Sequence, residues 1–172
     1  MNLQNTDFEL FAVPATFAQG RAALDARWKE LQREAHPDRF ASQGAAAQRI
    51  AMQWSVRINE AYQRLKDPVR RASYLCELNG APVDAENNTA MPGDFLMQQM
   101  EWRETLDDVA DAEALAALEE EVAAARTRAL DSLDTLIDGK GDYPAAAQQV
   151  RALMFIERFA QDIENKSEQW GQ

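Results

Sequence analysis

Leu31-Gln32-Arg33-Glu34-Ala35-His36-Pro37-Asp38-Arg39-Phe40 holds the only histidine of a 172-residue chain and separates two helical patterns. Upstream, Leu24, Trp28, Leu31 and Ala35 recur at i, i+4, i+7 and i+11, which is one face of a helix predicted over residues 21–35. Gly20 is a tolerable N-cap for it, and Lys29 and Arg33 lie on the opposite face. Pro37 biases His36 away from the α region, so the helix must stop there. Downstream, Ile50, Trp54, Ile58, Ala61 and Leu65 mark a long helix over residues 44–66. Two long helices with facing apolar stripes make an antiparallel hairpin. The His36-Pro37-Asp38 loop then sits at its tip. A solvated loop with an imidazole, a φ-locking proline and a carboxylate is a poor core element. It is a good docking element, because it is stiff before any partner arrives.

The rest of the chain reads as helical too. Strand alternation is absent, Ala, Leu, Gln, Glu and Arg are abundant, and Gly is sparse. A short helix is expected near residues 7–11, ending before Pro14. Asp67-Pro68 supplies a cap and a proline at the first helical position for a fourth helix, ended by Asn79-Gly80. Residues 80–93 lack periodicity and read as a linker. Asp94 is the expected cap of a fifth helix over residues 95–109. Asp111 caps a sixth with the stripe Leu115, Leu118, Val122, Ala125, Ala129, Leu133 and Leu136. Gly139 to Asp142 form a turn with a new N-cap at Asp142, before a seventh over residues 144–167. The expectation is an all-α protein: a hairpin domain with short flanking helices over residues 1–79, the linker, and an antiparallel three-helix bundle over residues 94–172.

Charge is unevenly split. Through residue 75 there are 11 Lys/Arg against 8 Asp/Glu, a formal +3; beyond it 7 stand against 21, a formal −14, within a whole-chain −11. That asymmetry suggests two modules with different partners, and equally fits a merely solvated acidic half. It argues against nucleic acid as the main ligand. The single Cys76 excludes an internal disulfide and a Cys-rich zinc site, and its setting in Tyr74-Leu75-Cys76 reads as packing. No apolar run is long enough to span a bilayer, and the first residues lack a presequence pattern, so a cytosolic protein without cofactor is expected.

Two surfaces stand out. The first is His36, Pro37 and Asp38 with Lys29, Arg33 and Arg39, a knob flanked by positive charge and suited to an acidic partner. An acid–base pair of His36 and Asp38 lacks a nucleophile nearby, and a lone histidine lacks companion metal ligands. The basic face as simple solvated surface stays open. The second is the fifth helix. Phe95, Gln99, Trp102, Leu106 and Val109 point one way, whereas Met97, Met100, Glu101, Glu104 and Asp108 point the other, with Leu96 between. Exposed Met and Leu ringed by carboxylates make an adaptable binding patch. On the seventh helix, Ala152, Ile156, Phe159, Ala160 and Ile163 form the expected core stripe, which leaves Met154 and Phe155 off its edge. Packing of these residues elsewhere on the chain is the alternative.

The order short helix, basic helix, His-Pro-Asp loop, long helix resembles a J-domain of the DnaJ type. Over nearly its full length the chain is similar to the HscB co-chaperone family, through DFELFAVP, LQREAHPDRF, INEAYQRL, DPVRRASYL, FLMQQMEWRE and VRALMFIERF. The resemblance implies a co-chaperone of iron–sulfur cluster assembly with no catalytic chemistry. In it, the J-domain engages the DnaK-type chaperone HscA and stimulates its ATPase, and the C-terminal domain binds the scaffold IscU. It implies chaperone-binding roles for His36, Pro37 and Asp38, and less strongly for Lys29, Arg33 and Arg39; the family commonly has lysine at the last position. Scaffold-binding roles fall on Leu96, Met97, Met100, Glu101, Glu104, Asp108 and Phe155, with Asp108 where glutamate is usual. The lack of an N-terminal Cys-rich knuckle looks bacterial.

Overall fold

The computed structural model describes residues 2–171, and no strand occurs among them. Seven α-helices follow in order: α1 Asp7–Phe11, α2 Arg21–Ala35, α3 Ala45–Lys66, α4 Pro68–Leu78, α5 Gly93–Asp108, α6 Ala112–Asp134 and α7 Tyr143–Trp170. The chain forms two compact units that divide between Leu75 and Cys76, inside α4. The expected division lay further along, after residue 79.

In the first unit a capping box starts α1: the Thr6 side chain accepts from the Glu9 amide while Glu9 accepts from the Thr6 amide. The same helix carries a buried charge. Asp7 is 0% exposed, with Arg64 Nε 2.6 Å and Arg57 Nη1 2.8 Å from its carboxylate. Its amide donates to the Tyr74 hydroxyl at 3.1 Å. These contacts tie α1 to α3 and α4. α2 and α3 pack as the expected hairpin through Leu24, Leu31, Ile58, Ala61 and Leu65, all buried. Trp28 stacks on Tyr62 at 4.8 Å. The Tyr62 hydroxyl donates to Asp25 at 2.6 Å. That bond, then Arg21, holds the Asp25 carboxyl below its usual range, and the same bond pushes the Tyr62 hydroxyl up.

One residue of the α3 stripe departs from expectation. Ile50 is 56% exposed, and Ala51 is buried in its place. At this end α3 meets both the end of α2 and the short helical segment after it, and Ile50 lines an open groove with Ala35 and Phe40 instead of closing into the core.

In the second unit α5, α6 and α7 form the expected three-helix set. Asp111 accepts from the Ala114 amide and Asp142 from the Ala145 amide, as their capping roles require. Asp94 does not cap α5; the helix begins two residues earlier than expected, at Gly93 after Pro92, and Asp94 lies in its first turn. α6 ends in a wider turn over Thr135–Gly139, closed by the Lys140 amide on the Thr135 carbonyl. The wider turn buries Ile137 and leaves Leu136 half-buried. Residues 80–93 are pinned rather than free. Arg151 on α7 is buried, and donates to the Val83 carbonyl at 2.8 Å and the Ala90 carbonyl at 2.9 Å. Val83 is buried as well. An aperiodic stretch whose carbonyls are satisfied by one guanidinium needs no helical pattern to be ordered.

Two expectations follow from these packed groups. Asp7→Ala leaves two guanidiniums without their carboxylate and lowers unfolding free energy by about 3 kcal/mol or more; urea denaturation measures it. Burial pushes the Cys76 thiol up to about 11. An unfolded thiol ionises at roughly 8.5, so between these values the folded chain holds a proton that the unfolded chain has lost. Stability from this group is full below the window and falls as pH rises through it. Denaturation of wild type and Cys76→Ala across that window shows the wild-type advantage shrinking.

Candidate functional site

The corner at the tip of the hairpin begins with backbone geometry. His36 is extended, at φ −61° and ψ 129°, as a residue before proline must be. Pro37 then opens a 3-10 segment, Pro37–Gln43, where a loop was expected. His36 is the N-cap of that segment: its Nδ1 accepts from the Asp38 amide at 3.2 Å. A neutral imidazole that accepts at Nδ1 carries its proton on Nε2, leaving a donor on its far side. The Asp38 carboxylate is 3.6 Å from Nδ1. Arg39 donates to the Arg33 carbonyl at 3.3 Å, closing the C-terminal end of α2. Gly44, at φ +97°, ends the segment in a conformation that side chains with Cβ disfavour.

Sequence and local structure thus place an exposed imidazole and an exposed carboxylate on a rigid bend. Lys29 and Arg33 are exposed one helical turn apart on α2. All six predicted residues here are open to solvent or half-buried; the Arg39 side chain is engaged with the Arg33 carbonyl at the end of α2.

The second surface depends on how α5 is held. Trp102 is buried, stacks on Phe159 at 5.6 Å and donates from its indole to Glu121 at 3.2 Å. Phe95 meets Trp102 edge-on at 6.0 Å and Phe155 edge-on at 5.7 Å. Arg103 reaches over Phe155 and Phe159 and ends 2.8 Å from Asp162. Lys166 donates to the Leu106 carbonyl near the C-terminus of α5. Contacts from α6 and α7 therefore fix the rotation of α5. What remains outward is Leu96, Met97 and Met100, 56%, 68% and 73% exposed, with Glu101, Glu104 and Asp108 exposed beside them.

Phe155 is a correction. It was expected at the edge of α7 with the outward set, but it is 9% exposed, stacked on Phe159 and covered by Arg103. α7 is gripped from two sides, so its buried arc is wider than one stripe and takes in Phe155. Its place is under α5, not on the outer face. Arg103 is the residue that periodicity did not single out. Its partner Asp162 lies 59 positions away, a separation no local pattern encodes. Among the described residues, no group of three or more His, Cys, Asp or Glu could hold a metal ion, and no helix is long and apolar enough to cross a membrane.

Comparison with known proteins finds relatives over nearly the whole chain. The family described as HSCB C-terminal oligomerisation domain matches residues 91–164. A protein of Burkholderia multivorans named co-chaperone protein HscB homolog is 51% identical over 166 residues, covering 95% of this chain and 94% of its own. One of the same name from Bordetella parapertussis is 50% identical over 157 residues, covering 91% and 92%. Among solved structures, chaperone HscB from Vibrio cholerae superposes with a TM-score of 0.82 at 36% identity, covering 96% of this chain and 99% of that one. The human co-chaperone protein HscB shares the fold, with a TM-score of 0.88 at 24% identity over 97% and 84%.

The packing carries a test that separates support from surface. Phe155→Ala removes a ring from the aromatic cluster and costs about 3 kcal/mol or more of stability. Met97→Ala with Met100→Ala changes it by less than about 1 kcal/mol, since neither side chain is buried. Thermal and urea unfolding of the two variants distinguish them.

Proposed function

This chain belongs to the HscB co-chaperone family, and on that premise we propose that it joins an iron–sulfur scaffold protein of the IscU type to a DnaK-type chaperone, HscA. In this reading the first unit, with the J-domain helix order, engages the chaperone through His36, Pro37 and Asp38, assisted by Lys29, Arg33 and Arg39. The second unit binds the scaffold through Leu96, Met97, Met100, Glu101, Glu104 and Asp108. Phe155 acts beneath that face by holding α5. The protein works in the bacterial cytoplasm, in iron–sulfur cluster assembly and protein maturation, without catalytic chemistry or a cofactor of its own.

The observation that carries the reading is the outward α5 face. Three large apolar side chains stand open to water on a helix whose other side buries Trp102 and Leu106. Singly exposed apolar residues are ordinary; a contiguous, carboxylate-bordered group on a fixed helix is a recognition surface. Methionine and leucine supply desolvation there, and the acidic rim selects a partner with basic neighbours. The hairpin tip supports the chaperone half. A capped 3-10 turn has little conformational entropy to lose on docking.

Stimulation of a partner ATPase needs binding energy that differs between the partner's two states, because equal affinity shifts no equilibrium. A stiff corner that fits one state better provides it. Holding the scaffold on the other unit raises the scaffold's effective concentration at the chaperone.

His36→Gln removes the imidazole while leaving the fold, and it is expected to abolish stimulation of HscA in a steady-state ATPase assay with scaffold affinity unchanged. Met97→Ala with Met100→Ala is expected to do the reverse, weakening scaffold binding by about 2 kcal/mol in calorimetry. Full stimulation by the first variant, or full affinity in the second, contradicts the assignment.

A further inference from the structure

Met97 and Met100 stand three residues apart on α5, and both are more than two-thirds exposed. A helix turns about 100° and rises about 1.5 Å per residue, so both thioethers occupy one flank. The other methionines of this unit differ. Met91 is half-buried and its Sδ accepts from Gln99 Nε2 at 2.9 Å; Met154 on α7 is half-buried. Oxidation of a thioether follows exposure, so this unit presents two ready sulfurs, and both lie on the face read above as the docking surface.

We propose that Met97 and Met100 form a reversible oxidation switch on that face: hydrogen peroxide converts both to sulfoxides and closes the face to its partner, and methionine sulfoxide reductases reopen it. This rests on the reading of α5 as the scaffold-binding surface. In each step the sulfur lone pair attacks one peroxide oxygen. The O–O bond breaks, an S–O bond forms, and the departing hydroxide takes the transferred oxygen's proton and leaves as water. The sulfur is oxidised by two electrons and the peroxide reduced by two. In the return step two thiols are the reductant; the thioether, water and a disulfide result, with one reductase for each sulfoxide epimer.

The surroundings make the change consequential. Glu101 and Glu104 follow Met97 and Met100 by one helical turn, and Asp108 follows Glu104 by another. Ionised carboxylates offer only acceptors. A sulfoxide oxygen buried at an interface here gains no donor from these carboxylates, and a buried polar group without a partner opposes docking. The same carboxylates repel anionic oxidants but not neutral peroxide, which makes peroxide the fitting oxidant. Neither sulfur packs in the core, so the fold persists when they oxidise.

The test treats the full chain with hydrogen peroxide, removes the peroxide with catalase, follows each methionine by peptide mass spectrometry and measures affinity for purified IscU by calorimetry. Expected are oxidation of Met97 and Met100 ahead of Met91 and Met154, and a loss of affinity of about tenfold or more with unchanged circular dichroism. Treatment with both reductases restores binding. The affinity of a Met97→Leu, Met100→Leu chain, whatever its starting value, is the same before and after the treatment. Undiminished affinity with both sulfoxides present overturns the switch, as does an equal loss in the leucine chain. If Met97→Ala with Met100→Ala weakens binding and oxidation does not, the switch alone fails. If the alanine chain binds like wild type, the docking face fails and takes the switch with it.

Discussion

Asp7 has no exposed surface and two guanidiniums within ion-pair distance, and the first unit is organised around that fact. A carboxylate removed from water is costly unless its charge is met and its oxygens are bonded. Arg57 and Arg64 stand on α3, so the pairing locates the short α1 against the long hairpin helix. Arg57 also donates to the Asn5 carbonyl at 2.8 Å, which fixes the approach to α1. Five residues of helix have little stability alone. The ion pairs, the Phe8 and Phe11 rings and the Tyr74 hydroxyl hold them. The His36 corner lies at the far end of the hairpin, away from these contacts.

The second unit solves a parallel problem with rings instead of charges. Phe95, Trp102, Phe155 and Phe159 form one edge-and-stack cluster, and Arg103 lies over two of them while bonded to Asp162. Such contacts are directional, since ring edges and faces carry opposite partial charge. They hold α5 at one rotation. The exposure of Met97 and Met100 is therefore a consequence of the buried cluster and not of a loose helix. The two proposed binding surfaces arise in the same way: a well-anchored element turns an exposed face outward.

Much of this was legible in the residues. Apolar spacing located the helices, Pro37 ended α2, and helical projection separated the inner and outer sides of α5. Caps at Asp111 and Asp142 announced themselves, because capping chemistry is local. The failures share a physical cause. Arg57 and Arg64 reach Asp7 across 50 or more positions, and Arg151 reaches Val83 across 68. Long side chains that satisfy distant carbonyls or carboxylates leave no periodic trace. Phe155 was misplaced because a single stripe describes a helix with one neighbour, whereas α7 has two. Ile50 was misplaced because the hairpin opens into a groove at that end of α3, so a position on the apolar stripe is left uncovered. The 3-10 segment after His36 was hidden for the opposite reason: its cue, a capping side chain followed by proline, is present but equally suits a plain turn.

Separation of the two binding surfaces is the central claim, and hydrogen–deuterium exchange of the full chain, alone and with each purified partner in turn, tests it most directly. The account predicts that HscA slows exchange around Pro37–Gln43 and the adjoining part of α2, whereas IscU slows it along α5, with little overlap. Slowing of the same amides by both partners, or protection by IscU centred on the hairpin tip, would contradict it.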